Sequence, residues 1–344
     1  MLVYWTMRLK TFFHRSNIPR AQVLRLLSAM LLALCVPAAA QHPKKVPRIG
    51  FLSATPYPLA VARVDAFKQG LRELGYIEGK NLVIEWRFSD GSSDRLLALA
   101  VELVALKVDI IVSGGAAVTR AAKKATTTIP IVMAADLDPV GSGHAASLAQ
   151  PGGNITGLSL LSPELSGKQL ELLKDTLPKL SLVAVLANSI EPGSTLTLKE
   201  IGFAAAALKL KLQQLDVFDP KDIETAIQSA SKGRADAVLV LPSLVLNSRR
   251  AQTVEFMVKS RLPAIYFSAD WIDDGGLMFY GASYPDLFRR SATYIDKILK
   301  GRTPAELPIE QPMKFELIIN LKAAKQIGLT IPPEVLARAN KVIR

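Results

Sequence analysis

Residues 108–134, VDIIVSGGAAVTRAAKKATTTIPIVMA, have the pattern of a buried strand, a helix and a second buried strand. The two strand segments are continuously apolar and rich in β-branched residues, which is typical of a parallel sheet that helices cover on both faces. A similar unit recurs at residues 236–265, again beginning with an Asp before an apolar run. The repeat predicts two similar α/β lobes, although any two strand-helix-strand units share part of this pattern.

The rest of the chain continues the alternation of short apolar runs and amphipathic stretches. Val64, Phe67 and Leu71 recur at helical spacing, and the pattern assigns Arg63 to the outer, solvent-facing side of that helix. Further strands are predicted at 46–52, 81–87, 155–161, 182–187, 211–217, 263–267 and 277–280. From these we expect one lobe at 41–157 plus about 281–312, a second at 158–280, and a hinge-crossing strand with C-terminal helices at 313–344.

Composition places the chain among ordinary globular proteins. It has 344 residues, of which 49% are hydrophobic and 21% charged, so disordered, collagen-like and small disulfide-rich classes are excluded. Five of the +12 net charges lie in the first 40 residues, which hold no acidic residue. Elsewhere basic residues form isolated pairs without interleaved aromatics, such as Arg249-Arg250, and these are interpreted as solvated surface. We therefore expect no nucleic-acid partner.

The first 40 residues read as a secretory signal peptide. A basic region ends at Arg25, an apolar run covers 26–36, and the small residues Ala38 and Ala40 follow. The run has about half the length of a membrane-spanning helix, so we expect cleavage after Ala40, with a retained anchor as the alternative. Cys35 follows Leu34, which is too bulky for a lipoprotein signal. Cleavage would leave a chain without cysteine, exported to the periplasm.

The candidate binding residues are those that follow the predicted strands, because ligands of open parallel sheets lie beyond the carboxyl ends of the strands. Hydroxyls, glycine amides and carboxylates at these ends suit a small zwitterion or carboxylate better than covalent chemistry. For each serine a helix N-cap is the competing interpretation, and for each aspartate a cap or surface ion pair. The candidates are Ser53, Ser113, Gly114, Gly115, Asp136, Asp138, Asn188, Ser194, Ser243 and Asp270.

Enzymatic interpretations find less support in the sequence. After cleavage His144 is the one histidine of the folded region, which disfavours a histidine metal site, although a pairing of His144 with a serine stays open. No nucleophile elbow, phosphate-binding loop or zinc-protease motif is present. We expect no enzymatic activity, no catalytic residue, no metal and no cofactor.

Several segments together resemble one family. They are Phe67–Tyr76 (FKQGLRELGY), Asp138–Gly141 (DPVG), Pro151–Gly157 (PGGNITG), Lys297–Gly301 (KILKG) and Lys314–Asn320 (KFELIIN). They are similar to the ABC-transporter substrate-binding proteins often labelled tryptophan/tyrosine transport binding proteins. The resemblance covers residues 46–344. It implies a type I periplasmic binding protein, with two Rossmann-like lobes that are joined by several crossovers and close on a small ligand.

The resemblance also implies a function and a partner. We expect a periplasmic, monomeric component of an ABC importer that binds an amino acid or related small molecule and presents it to a membrane permease. A sensor domain of a signalling receptor and a secreted hydrolase are the alternatives. Two departures from the family pattern suggest a different ligand: Ala116-Ala117 stands where Thr-Pro is usual, and Glu191 adds a carboxylate that would favour an amine.

Overall fold

The computed structural model describes residues 45–160, 162–191, 194–312 and 314–344. The predicted signal peptide lies outside these residues. Residues 46–344 form one compact unit. No helix in the described ranges is long and apolar enough to cross a membrane.

The first half of the chain alternates strands and helices, as the 108–134 pattern predicts. Its elements are β1 Arg48–Ser53, α1 Tyr57–Glu73, β2 Val83–Phe88, α2 Ser93–Ala105, β3 Ile110–Gly114, α3 Ala116–Ala125, β4 Ile131–Asp136 and β5 Ile155–Ser159. The strands pair in parallel in the order β2-β1-β3-β4-β5. Helices cover both faces of this sheet, which explains why its central strands β3 and β4 are apolar except at their carboxyl ends.

The second half builds a larger sheet. Its elements are α4 Ser162–Thr176, β6 Leu182–Ala187, α5 Ser194–Ala207, β7 Lys211–Asp216, α6 Asp222–Lys232, β8 Ala237–Val240, α7 Leu244–Ser248, α8 Arg250–Lys259, β9 Ala264–Tyr266, α9 Asp270–Asp273, β10 Met278–Ala282, α10 Tyr284–Leu299, β11 Phe315–Asn320, α11 Leu321–Ile327, α12 Pro333–Leu336 and β12 Lys341–Ile343. The order is β12-β11-β10-β9-β8-β6-β7, and β11 runs antiparallel to β10. The sequence patterns did not predict the short strand β12.

The two sheets repeat one topology, which confirms the internal repeat. Strands β7-β6-β8-β9-β10 stand in the same order as β2-β1-β3-β4-β5. The Asp that begins each repeated unit has the same contact: Asp109 Oδ2 accepts from the Arg48 amide at 2.8 Å, and Asp236 Oδ2 accepts from the Leu182 amide at 2.9 Å. Each carboxylate thus holds the start of the first strand of its own sheet.

The chain passes between the sheets more than once. After β10 it returns to the first sheet, where α10 packs against α1 so closely that a Cβ on Gly70 would lie 2.1 Å from the Arg289 carbonyl oxygen. The segment that follows runs beside β5, and the Thr156 hydroxyl donates to the Leu307 carbonyl at 2.6 Å. The chain then enters β11 of the second sheet. The lobe limits near 157, 281 and 312 stay predictions.

Candidate functional site

A cavity of about 70 Å³ lies between the two sheets, where the carboxyl ends of their strands approach each other. The first-sheet side contributes residues that follow β1, β3, β4 and β5, and the second-sheet side contributes residues that follow β6, β8 and β9. The lining residues are Ala54, Thr55, Arg63, Gly114, Gly115, Ala116, Ala117, Leu137, Leu160, Glu191, Pro242, Ser243, Leu244, Asn247, Phe267 and Tyr284. This is the position where open α/β sheets bind ligands.

The start of helix α3 forms one wall of the cavity. Gly115 has φ of 108°, a backbone conformation that favours glycine, and its amide donates to the Ala135 carbonyl at 2.6 Å. No side chain caps the helix. The amides of Ala116 and Ala117 belong to the first turn, which has no intrahelical acceptors, so this wall carries partial positive charge.

The opposite wall carries the carboxylate of Glu191. Its Oε1 accepts from the Leu244 amide at 2.9 Å, the Ser243 hydroxyl at 3.0 Å and the Asn188 side chain at 3.1 Å, while Oε2 accepts from the Leu244 amide at 3.2 Å. Burial raises the pKa of Glu191 above its usual value, and these hydrogen bonds offset only part of that effect. The carboxylate predicted to favour an amine therefore lines the cavity.

A buried cluster of ions joins the two sides. Arg63 of α1 pairs with Asp270 of α9, and Arg250 of α8 lies 3.6 Å from the same carboxylate and bonds Asp274 at 2.7 Å. Burial alone would raise the pKa of Asp270, but the charges of Arg63 and Arg250 and its hydrogen bonds bring it below its usual value. The Arg63 guanidinium also lies 4.4 Å from the centre of the Tyr284 ring. Arg63 Nε is buried and has no hydrogen-bond partner in the part of the chain that the structure describes.

Further contacts show that the two sides are closed on each other. The Asn247 side chain donates to the Thr55 hydroxyl at 2.9 Å, and Asn247 Oδ1 is buried with no hydrogen-bond partner among the described residues. A Cβ on Gly91 would lie 2.6 Å from the Ser248 side chain. Because Thr55 and Gly91 belong to the first-sheet side and Asn247 and Ser248 to the second, these contacts require the closed arrangement.

Apolar and aromatic groups complete the cavity. Phe267, Leu137 and Leu160 contribute apolar surface, and Tyr284 adds an aromatic ring. Burial raises the pKa of Tyr284 to about 12, so its hydroxyl stays protonated at neutral pH. No cluster of three or more His, Cys, Asp and Glu side chains able to hold a metal ion occurs among the described residues.

The structure brings some of the predicted site residues to the cavity. Gly114, Gly115 and Ser243 line it, Asp270 contacts the lining residue Arg63, and Asn188 contacts Glu191. Ser243 also occupies the N-cap position of α7, but its side chain makes no capping bond and donates to Glu191.

Other candidates have local contacts and do not line the cavity. Ser53 bonds within its own turn to Thr55, and the Ser113 hydroxyl lies 2.9 Å from that of Thr119. Asp136 is buried 3.1 Å from His144, and Asp138 accepts from the Gly141 amide at 2.8 Å. The buried Ser194 begins α5, and its amide donates to the Glu191 carbonyl at 3.2 Å. Ligand contact by any candidate stays a prediction.

Two assignments made from the sequence are wrong. Arg63 is only 7% exposed, although the helical pattern placed it toward solvent, because α9 and the residues after β10 cover that side of α1. Arg250, interpreted as part of a solvated pair, is 5% exposed. The positions of Asn247, Phe267 and Tyr284 in the cavity were also missed. A clue for Phe267 was its place at the end of a predicted strand.

Comparison with known proteins agrees with this architecture. The sequence profile of the ABC transporter substrate binding protein family matches residues 54–343. The chain is 26% identical over 287 residues to a tyrosine-binding protein of Clostridioides difficile, covering 83% of this chain and 82% of the relative.

Two solved structures are similar over most of their length. A conserved domain protein from Vibrio cholerae has a TM-score of 0.82 and 29% identity, covering 87% of this chain and all of that one. An ABC domain from Streptococcus pneumoniae in complex with L-Trp has a TM-score of 0.81 and 27% identity, covering 86% and 99%. The fold is that of type I periplasmic binding proteins. The chain belongs to the ABC transporter substrate binding protein family.

Proposed function

We propose that this protein is the periplasmic solute-binding component of an ABC importer and that it binds an amino acid between its lobes for delivery to a membrane permease. The observation that carries the proposal is the closed cavity, to which both lobes contribute polar groups that have no hydrogen-bond partner among the described residues. The ligands named for two relatives, L-Trp and tyrosine, support an amino acid with an aromatic side chain.

The distribution of charge in the cavity suits a zwitterion. Arg63 Nε and the first-turn amides of α3 are donors, which a ligand carboxylate would satisfy. Glu191 and Asn247 Oδ1 are acceptors on the opposite side, which an ammonium group would satisfy. A buried polar atom without a partner costs about 1–3 kcal/mol, so a ligand that pairs all of them stabilises the closed form.

Binding energy would drive the closure of the lobes. A ligand shifts an open–closed equilibrium only by its differential affinity for the two states. Here the α3 amides and Arg63 belong to the first lobe, whereas Glu191 and Asn247 belong to the second. A ligand that bridges them gains its full set of contacts only when the lobes are closed, which gives a permease one loaded conformation to recognise.

The test is a binding screen of the chain from Gln41, with amino acids, the matching α-keto acids and the matching amines. We expect L-amino acids to bind and both the keto acids and the amines to bind at least tenfold more weakly, since each lacks one of the two charged groups. A ligand at 100 times its dissociation constant adds about 2.7 kcal/mol of stability, which thermal unfolding detects. Absence of binding by every amino acid, or conversion of a bound ligand, would contradict the proposal.

A further inference from the structure

A second and larger space adjoins the cavity. It is a groove of about 530 Å³ that both lobes line, between α2 and α3 on one side and the segments after β6, β7 and β8 on the other. The groove and the cavity share the three residues Ala117, Glu191 and Leu244. These three residues, called the neck below, lie where the two spaces meet, so the groove is adjacent to the cavity.

The two volumes indicate that the head of an amino acid lies in the cavity and its side chain in the groove. The cavity of about 70 Å³ has room for a few small groups, since one water molecule needs at least about 10–15 Å³. The zwitterionic head of an amino acid, with one nitrogen, two carbons and two oxygens, is of that size. An aromatic side chain needs more space. The groove is the adjoining space that is large enough.

The groove has the chemistry to hold an apolar group. Three of its lining side chains are large, apolar and unusually exposed: Ile190 at 74%, Phe218 at 50% and Leu97 at 42%. They come from both lobes, so an apolar group between them would be covered from two sides. Exposed apolar residues that cluster in one concave surface are characteristic of a binding site.

Two cations also line the groove. Arg120 and Lys124 are one turn apart on α3, both are exposed, and neither forms an ion pair or a side-chain hydrogen bond within the described ranges. Two acidic residues, Asp94 of α2 and Glu191, also line the groove, and neither forms an ion pair with these cations. Helix α3 therefore presents two positive charges that have no ion-pair partner among the described residues.

We infer that the groove is a second compartment of the ligand site, which receives an extended, mostly apolar side chain ending in an anionic group. The inference rests on the proposed function, since the head of the ligand must occupy the cavity. Glu191 and the α3 amides hold the head, the apolar residues hold the middle of the side chain, and Arg120 and Lys124 meet its terminal anion. The ligand class is thus an amino acid whose long side chain carries a carboxylate or phosphate.

Three ligands that share the phenylalanine framework and differ only at the para position test the charge preference by calorimetry on the chain from Gln41. They are L-phenylalanine, 4-carboxy-L-phenylalanine and 4-aminomethyl-L-phenylalanine. We expect 4-carboxy-L-phenylalanine to bind about threefold to tenfold more tightly than phenylalanine, because two partly exposed ion pairs contribute about that much. We expect 4-aminomethyl-L-phenylalanine to bind more weakly than phenylalanine. O-phospho-L-tyrosine is the arm that distinguishes a phosphate from a carboxylate as the preferred anion.

Matched variants locate the effect. Lys124→Gln removes a cation of the groove, whereas Lys123→Gln removes the neighbouring charge, whose ammonium bonds the Gly143 carbonyl and does not line the groove. We expect the preference for the carboxylate to fall about threefold in the first and to stay unchanged in the second. Phe218→Ala should weaken the binding of all the aromatic ligands at least threefold. It should not change the binding of L-alanine, whose side chain does not reach the groove.

The possible results separate the two proposals. The second compartment is refuted, while the proposed function stands, if phenylalanine binds and 4-carboxy-L-phenylalanine binds no more tightly. The same holds if Lys124→Gln and Lys123→Gln have the same preference for 4-carboxy-L-phenylalanine. Unchanged binding of the aromatic ligands by Phe218→Ala would refute it as well. If no amino acid binds the wild type, the proposed function fails and this inference fails with it.

Discussion

Asp270→Asn tests whether the ion cluster between the lobes holds the closed state. The substitution keeps the shape of the side chain and removes the charge that faces Arg63 and Arg250. Because Arg63 belongs to the first lobe and Asp270 to the second, loss of their ion pair weakens the closed form, whereas Asp274 keeps Arg250 paired within the second lobe. The expected result is therefore weaker ligand binding with little change in the stability of the ligand-free protein.

The structure sets the size of the effect. Removing one partner of a buried ion pair costs about 3–5 kcal/mol. The asparagine oxygen can still accept a hydrogen bond from Arg63, and Asp274 still pairs with Arg250, so we expect about 2–3 kcal/mol, within the range for hydrogen bonds to charged groups. Since 1.4 kcal/mol is a factor of ten, the affinity should fall about 30- to 150-fold.

Isothermal titration calorimetry with a ligand found in the screen measures the loss, and X-ray scattering of ligand-free and saturated protein measures closure. A double-mutant cycle with Arg63→Met separates the ion pair from direct contacts of Arg63 with the ligand. The control is Arg289→Met, which breaks an ion pair with Glu73 that is exposed and confined to the first lobe, and should change affinity less than twofold. Near-wild-type affinity of Asp270→Asn, or a coupling energy of zero in the cycle, would refute the reasoning.

Three further predictions concern single residues. Glu191→Gln should weaken the binding of amino acids at least tenfold at pH 8. Because burial raises the pKa of Glu191, its charged form destabilises the folded wild type, so the ligand-free variant should unfold at a higher temperature than wild type at pH 8. This difference should vanish below pH 4.5, where the wild-type carboxyl is protonated and therefore as neutral as the amide that replaces it. Gly157→Ala places a Cβ 2.1 Å from the Met133 carbonyl oxygen at φ of +135°, so it should destabilise the protein by more than about 3 kcal/mol in urea unfolding; a loss below 1 kcal/mol would contradict this. Asn320→Ala removes the side-chain cap of α11, with bonds of 3.0 and 3.2 Å to two amides, and should cost about 1 kcal/mol by the same measurement, whereas an unchanged midpoint would show that the cap is dispensable.

Local sequence patterns were sufficient to predict most of the fold. Parallel strands covered on both faces are apolar along most of their length, so the runs that became β3, β4 and β8 were recognisable without knowledge of their partners. The repeated Asp before β3 and before β8 indicated a duplicated unit. Each carboxylate accepts a hydrogen bond from the amide that begins the first strand of its own sheet. β12, three residues long and at the sheet edge, is too short for a periodic pattern.

The sequence predicted where the site lies but not which side chains line it. Strand ends such as Gly114-Gly115 and Ser243 reach the cavity because chain direction alone puts the carboxyl ends of parallel strands at one edge. Whether a side chain at that edge turns inward depends on its neighbours: the Ser113 hydroxyl lies against Thr119, beneath the helix that follows.

By itself, the amino-acid order determined which segments become strands and helices, that the strand-helix unit occurs twice, and which ends of the strands gather, since each of these follows from local periodicity and chain direction. Only the tertiary structure decided that Arg63 is buried and that Glu191 faces an amide-lined wall of the other lobe. The physical reason is that a helix pattern separates apolar from polar faces but does not reveal which polar face a second lobe will cover. That information belongs to the packing of two lobes whose contacting residues lie about 200 positions apart, as Arg63 and Asp270 do.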